Sequence, residues 1–192
     1  PGLASGIARQ IREGEIKKFL IQPVNMLNYL FLTRLAHKLA YYTVATLPFA
    51  FVFFLCRSYF VDGWPEWPRL LAFLLALLLS FILGFFLEVC IGLMGFWILE
   101  VSSLLFVYML FSFFLSGHMF PLDILPSWSQ NIVQFLPLKY LAYFPAAIFL
   151  EKVPDESLWG EMLLMLTWTV VFIVLANVLY RAGLHRYSGY GG

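Results

Sequence analysis

Charge is what this sequence has least of. Only 12% of its 192 residues are Asp, Glu, Lys or Arg, about half the roughly 25% typical of a soluble domain. A water-soluble fold of this size leaves much of its surface in water and could not hide so apolar a composition. Cysteine is scarce as well. Cys56 and Cys90 both lie inside apolar runs, which fits small buried hydrophobes and excludes a disulfide framework or a thiolate metal site. No G-x-x-x-x-G-K-[ST] loop, H-E-x-x-H, G-x-S-x-G or C-x-x-C motif occurs, so the chain has no phosphate loop with which to hydrolyse ATP. Its three histidines, His37, His118 and His185, stand at three separate segment boundaries and form no local cluster. No metal site is expected. Net charge is +1, and no nucleic-acid partner is expected.

What fills the space is hydrocarbon and aromatic. Apolar residues make up 62% of the chain, with 21 Phe, 10 Tyr and 6 Trp, an aromatic load at home in membrane interiors and interfaces. Four runs approach the length needed to cross roughly 30 Å of hydrocarbon: residues 39–56, with Pro48 inside it, 70–91, 101–115 and 162–180. Helix is the expected form of each, since a bilayer leaves no water to satisfy an open backbone. Between the first two, Arg57 to Arg69 reads as a short loop with Trp64 and Trp67 as interfacial anchors. Ser116 to Leu150 carries Pro121, Pro126, Pro137 and Pro145 among apolar residues. It is too broken for one spanning helix and too apolar for an ordinary loop. A re-entrant or interfacial pair of short helices is predicted there, with the irregular backbone buried in protein. The whole of 1–192 is read as a single all-α integral membrane domain, without internal repeats.

Four spans place both ends of the chain on one side. Arg9, Arg12, Lys17, Lys18, Arg34, Lys38, Arg181 and Arg186, eight of the twelve basic residues, fall on that side. The opposite side holds most of the acids. The positive-inside rule therefore makes both ends of this chain cytoplasmic.

Ser5 to Leu20 is the only strongly charged stretch. Ile7, Ile11, Ile16, Phe19 and Leu20 recur at helical intervals while Arg9, Arg12, Glu13, Lys17 and Lys18 take the other faces, with an irregular step at Gly14. Too polar to span, it would lie on the membrane surface or against a soluble partner. The mixed signs of Arg12-Glu13-Gly14-Glu15 favour docking on a partner over attraction to anionic lipid.

One ionisable residue stands deep in a span. Glu88 shares a helical stripe with Ser80, Gly84, Gly92 and Gly95. A charge at a helix centre costs about 2.5–3.5 kcal/mol on insertion scales, so Glu88 should face protein or water, while the small residues let another helix approach. Two readings weigh evenly: Glu88 lines a translocation path, or it makes a structural hydrogen bond at a helix interface. Glu100 is expected at a helix start, where a carboxylate favours the dipole.

Three segments resemble ABC-2 type transporter permeases. Ile11 to Pro23 (IREGEIKKFLIQP) resembles their cytoplasmic segment. Ser116-Gly-His-Met-Phe-Pro-Leu-Asp-Ile-Leu-Pro-Ser-Trp128, with Leu136-Pro-Leu-Lys-Tyr140 and Pro145, is similar to the S-G-x-x-x-P-L-x-x-L-P-x-W and L-P-x-x-Y signature of that family. The ending Tyr180-Arg-Ala-Gly-Leu-His-Arg-Tyr-Ser188 resembles its basic tail. The resemblance implies a six-span fold, of which this chain would hold the last four spans and lack the first two. It implies that 5–20 is a coupling helix, with Arg9, Arg12, Glu13, Gly14, Glu15 and Lys17 in the cleft of a separate ABC ATPase subunit that carries the ATP and Mg. No cofactor is implied on this chain. It further implies a permease dimer, export as the direction, and a bacterial cytoplasmic membrane as the location. Ser116, Gly117, Pro121, Pro126, Trp128, Pro137 and Tyr140 would belong to re-entrant helices capping the path. Against this stand a membrane-embedded enzyme with Glu88 as acid or base, and a non-catalytic assembly subunit.

Overall fold

In the computed structural model, residues 2–56, 66–98, 100–117, 126, 133 and 135–188 are described. Helix is the only regular secondary structure among them. The chain divides into two units, Pro1–Gly14 with Glu66–Gly192, and Glu15–Pro65.

The larger unit begins with α1, Leu3–Arg12. It ends where the sequence places its irregular step. Gly14 takes a φ of 76°, a left-handed conformation that glycine adopts without a Cβ penalty, and its N–H donates to the Ile11 carbonyl at 3.3 Å. The segment expected as one helix from Ser5 to Leu20 is therefore two helices, the second being α2, Lys17–Ile21, in the smaller unit. The physical reason is that cap: a left-handed residue cannot continue a right-handed helix.

α4 runs from Trp67 to Leu93 and tightens into a single 3-10 turn at Met94–Phe96. α5 covers Ser102–Leu115. A 3-10 helix at Pro137–Leu141 leads into α6, Tyr143–Phe149, and α7 runs from Asp155 to Ser188. Two of these, Trp67–Phe96 and Asp155–Tyr187, are long and apolar enough to cross a membrane, whereas α5 is a shorter apolar helix. At about 1.5 Å per residue, the 14 residues of α5 cover about 21 Å. That is short of the roughly 30 Å hydrocarbon thickness.

The core of this unit lies between α4, the 137–149 segment and α7. Ala72, Ala76 and Leu83 of α4 meet Tyr140, Phe144 and Ile148, with Leu158, Met162 and Met165 completing the cluster from α7. The alanines recur at four-residue spacing, so their face of α4 is narrow and the short helices can lie close. Of the residues expected in a re-entrant pair, Ser116 is buried and its carbonyl accepts the Tyr143 N–H at 2.9 Å. Gly117 has a φ of 81° and no room for a Cβ, which would come 2.8 Å from the Tyr143 Cβ. Pro137 and Tyr140 are buried and Pro126 is exposed. His118, Pro121, Asp123, Trp128 and Ile132 lie outside the described residues, as does 57–65 of the expected loop.

In the smaller unit, α3 is a 30-residue helix, Met26–Leu55, that continues through Pro48. It joins the mixed stretch before residue 39 to the apolar run after it. Asn25 caps it, its side-chain oxygen accepting the N–H groups of Leu27 at 2.9 Å and Asn28 at 3.3 Å. Thr43 and Thr46 return their hydroxyls to the carbonyls of Leu39 and Tyr42, so neither leaves a polar group unmatched in an apolar setting. Val44 and Leu47 are 76% and 77% exposed, apolar surface that requires lipid or protein cover.

Truncating the centre of the helical core should be costly. Ile148→Ala is expected to destabilise by about 2–5 kcal/mol, read as a lower detergent-denaturation midpoint of the purified chain.

Candidate functional site

α1 rests on the C-terminal end of α4, at Gly92, and on the 94–96 turn, at Gly95. Ala4, Ile7, Ala8 and Ile11 form one face of α1 and are all buried. A Cβ on Gly92 would stand 2.9 Å from the Ala4 carbonyl oxygen and 2.9 Å from the Ile7 Cβ. On Gly95 it would stand 3.2 Å from the Ala8 Cα and 3.3 Å from the Ile11 Cδ1. The backbone of α1 thus occupies the space that side chains would take. Burial of Ile7 and Ile11 contributes about 1.5–3 kcal/mol each, enough to hold α1 on the protein. Its opposite face exposes Arg9, Arg12 and Glu13. Arg9 and Glu13 approach to 3.8 Å with side chains 64% and 52% exposed, a pairing worth at most about 1 kcal/mol and readily exchanged for another partner.

The small-residue stripe serves two elements. At its other end the Ser80 hydroxyl donates to the Leu141 carbonyl at 2.7 Å, and a Cβ on Gly84 would meet the Leu141 side chain at 3.3 Å. Ser80 and Gly84 hold the 137–141 turn, and Gly92 and Gly95 hold α1. Glu88 lies between these two seats and acts electrostatically on Tyr108 of α5, whose hydroxyl is hydrogen-bonded with Ser112. Glu100 accepts the Ser102 N–H at 3.0 Å at the start of α5. Hydrogen bonds from the Ser102 side chain and backbone hold its carboxyl below the usual range, and Arg12 of α1 adds to the effect. In the smaller unit, Glu15 pairs with Lys18 at 3.2 Å and Lys17 is exposed.

Two arrangements were not anticipated from the sequence. The first joins α1 and the 94–96 turn to the far end of α7. Gly183 lies directly against the Phe96 ring, which fills the place of a Cβ, and Phe96 meets Tyr187 edge to face at 6.2 Å. A Cβ on Gly14 would come 3.2 Å from the Tyr187 hydroxyl. A glycine four residues before a tyrosine in a helical tail was the available signal. The second is a polar knot at the other end of the unit. Lys139 Nζ lies 2.8 Å from Glu161 Oε2, and the Tyr140 hydroxyl donates to the same oxygen at 2.7 Å. Lys139 is buried, and its ammonium sits 4.8 Å from the Tyr140 ring centre. Arg69 of α4 reaches Asp155 of α7, six residues before Glu161, at 2.8 Å. A lysine inside the apolar run 136–149 is the signal that marked the knot. Burial and then the Glu161 carboxylate push the Tyr140 hydroxyl well above its ordinary range, so it remains a donor.

No nucleophile with an adjacent base appears in these contacts. They are packing joints and an exposed charged face, suited to transmitting force. A family model described as "ABC-2 family transporter protein" matches residues 2–191. The chain belongs to the ABC-2 transporter family. This ABC-2 chain is accordingly a transmembrane permease, a transport component that is not itself catalytic. No curated protein matches it, and no solved structure does.

Two outcomes test the geometry of this permease. Gly92→Leu should overpack the α1 seat by about 1–3 kcal/mol and release α1, read as faster proteolysis after Arg9 and Arg12. Because the Tyr140 hydroxyl is raised in the folded state, its stabilisation is fully present below its ordinary value of 10.0 and is lost as pH climbs above it. Tyr140→Phe should flatten that alkaline loss and lower stability at neutral pH by about 1.5–3 kcal/mol, measured in denaturation midpoints from pH 7 upward.

Proposed function

We propose that this chain is the permease subunit of an ATP-driven exporter, docked through α1 and the residues after it on a separate ABC ATPase. The observation that carries this reading is the two-faced setting of α1: its apolar face is absorbed by Gly92 of α4 and Gly95 of the 94–96 turn, and Arg9, Arg12 and Glu13 are turned outward. A helix seated on lipid would spend its apolar face on acyl chains. Seated on protein, it presents mixed charges for specific contact with a soluble surface and passes displacement to α4. Gly14, Glu15 and Lys17 extend the docking segment. The partner supplies ATP and Mg, and its closing biases a two-state arrangement of the permease.

In this reading α3, α4, α5 and α7 all cross the membrane. Both ends of the chain are cytoplasmic, in a bacterial cytoplasmic membrane. Eight basic residues on the terminal side support that orientation. Two permease protomers form the path, and the 116–150 segment caps it on the far side. Ser80, Gly84 and Gly92 act as helix seats, and Glu88 with Tyr108 is the polar pair nearest to a path for substrate.

Mild-detergent pull-down of the tagged chain from native membranes should recover an ATPase bearing a phosphate loop. Arg12→Ala together with Glu13→Ala should reduce its recovery at least about tenfold, the equivalent of about 1.4 kcal/mol. Undiminished recovery would remove α1 as the docking element. Recovery of no ATPase from folded protein, with function abolished by Glu88→Gln, would favour a membrane-embedded enzyme instead.

A further inference from the structure

Phe96 touches more of the moving parts than its position in a three-residue turn suggests. The turn at 94–96 continues α4, and its Gly95 carries the Ala8 backbone of α1. The Phe96 ring occupies the notch at Gly183 and meets Tyr187 edge to face at 6.2 Å. Tyr187 in turn covers Gly14, the left-handed residue that ends α1. Phe96 is buried and Gly183 is buried. α4 and α7 also meet midway, where the Cys90 thiol donates to the Phe172 carbonyl at 3.8 Å, and in the core around Ala72, Tyr140 and Met162.

We propose that Phe96, Gly183 and Tyr187 form a transmission joint that couples displacement of α1 to α7, so that the docking helix drives two membrane helices together. This rests on the exporter reading above. The geometry gives the reason. A ring seated in a glycine notch transmits lateral push in both directions without a flexible side chain between the backbones, since close-packed interiors move as rigid bodies. The Tyr187 hydroxyl over Gly14 fixes the end of α1 to the same helix. α1 therefore cannot shift on α4 without displacing the tail of α7. The three are positioning residues; none meets substrate.

The test uses the full permease in complex with its ATPase, in proteoliposomes. Three quantities are followed: recovery of the ATPase subunit, stimulation of its ATP turnover by the permease, and the distance between spin labels at Trp159 of the two permease protomers, which reports displacement of α7, with and without ATP plus vanadate. In the unaltered complex ATP shifts the label distance. Gly183→Leu should retain the ATPase subunit yet lose the distance shift and lower the stimulation at least about fivefold, the low end of ordinary coupling. Tyr187→Ala should do the same with less disturbance of packing, and Tyr187→Phe, which keeps the ring on Phe96 and loses the hydroxyl over Gly14, should fall between Tyr187→Ala and the unaltered complex. The double variant Phe96→Ala with Gly183→Leu, in which the leucine fills the space vacated by the ring, should restore both readouts. A purely structural role would lower subunit recovery and stability together with the stimulation. Wild-type stimulation and distance shift in both Gly183→Leu and Tyr187→Ala would overturn the joint. So would a loss in Gly183→Leu that Phe96→Ala fails to restore while Tyr187→Ala behaves as wild type. Failure of the unaltered chain to bind any ATPase would instead overturn the exporter reading, which separates the two.

Discussion

The seat of α1 depends on missing atoms. At Gly92 of α4 and Gly95 of the turn that follows it, the Ala4 carbonyl and the Ala8 Cα stand where side chains would begin. Backbone is the least yielding neighbour a new Cβ could meet, so contact at this distance exists only because both positions are glycine and the facing positions are alanine. Once α1 is drawn this close, Ile7 and Ile11 are buried and its charged residues have one direction left to face. The exposed face, the proximity of Arg12 to Glu100 and the placement of Gly14 beneath Tyr187 all follow from that approach.

Much of this was legible in the chain. Long apolar runs with few charges announce membrane helices because hydrocarbon admits nothing else. The two longest, around Leu70 and Met162, coincide with α4 and α7, while the run at 101–115 yields the shorter α5. The isoleucine spacing of Ser5 to Leu20 marked an amphipathic element, and Gly14 marked its irregular step. The sequence could not say that this step divides two units, because a left-handed glycine and a tolerated interior glycine look alike in one dimension. Ser80, Gly84, Gly92 and Gly95 were visible as a stripe. Their separate partners were not, since Leu141 and Ala4 lie far from them in the chain. Lys139 with Glu161, and Phe96 with Gly183, stayed hidden for the same reason. Residue type signals that a partner is needed, and only tertiary packing identifies it.

The polar knot shows how an apolar protein fixes one arrangement of its helices. Hydrophobic contact among Ala72, Phe144, Ile148 and Met165 is non-directional and would tolerate a small slide of the 137–149 segment along α7. Lys139 and Tyr140 remove that freedom, since both address a single carboxylate, with bonds of 2.8 and 2.7 Å. A charged, half-buried acceptor with two donors is satisfied in one register and left wanting in the next. The Ser80 bond to Leu141 fastens the same turn to α4. One short segment is thereby fixed to two long helices by directional bonds.

α7 is an unbroken helix of 34 residues, about 51 Å long at about 1.5 Å per residue, and it is held near both ends. Glu161 is engaged by Lys139 and Tyr140 at one end, and Gly183 is filled by Phe96 at the other. A rod pinned at two points along its flank cannot roll about its own axis. Rolling would have to tear the carboxylate from its donors or drive helix backbone into the ring. What remains is tilting about one pin. The face that α7 leaves exposed, including Leu163 and Val170, therefore stays the same face through any movement that keeps the two pins intact.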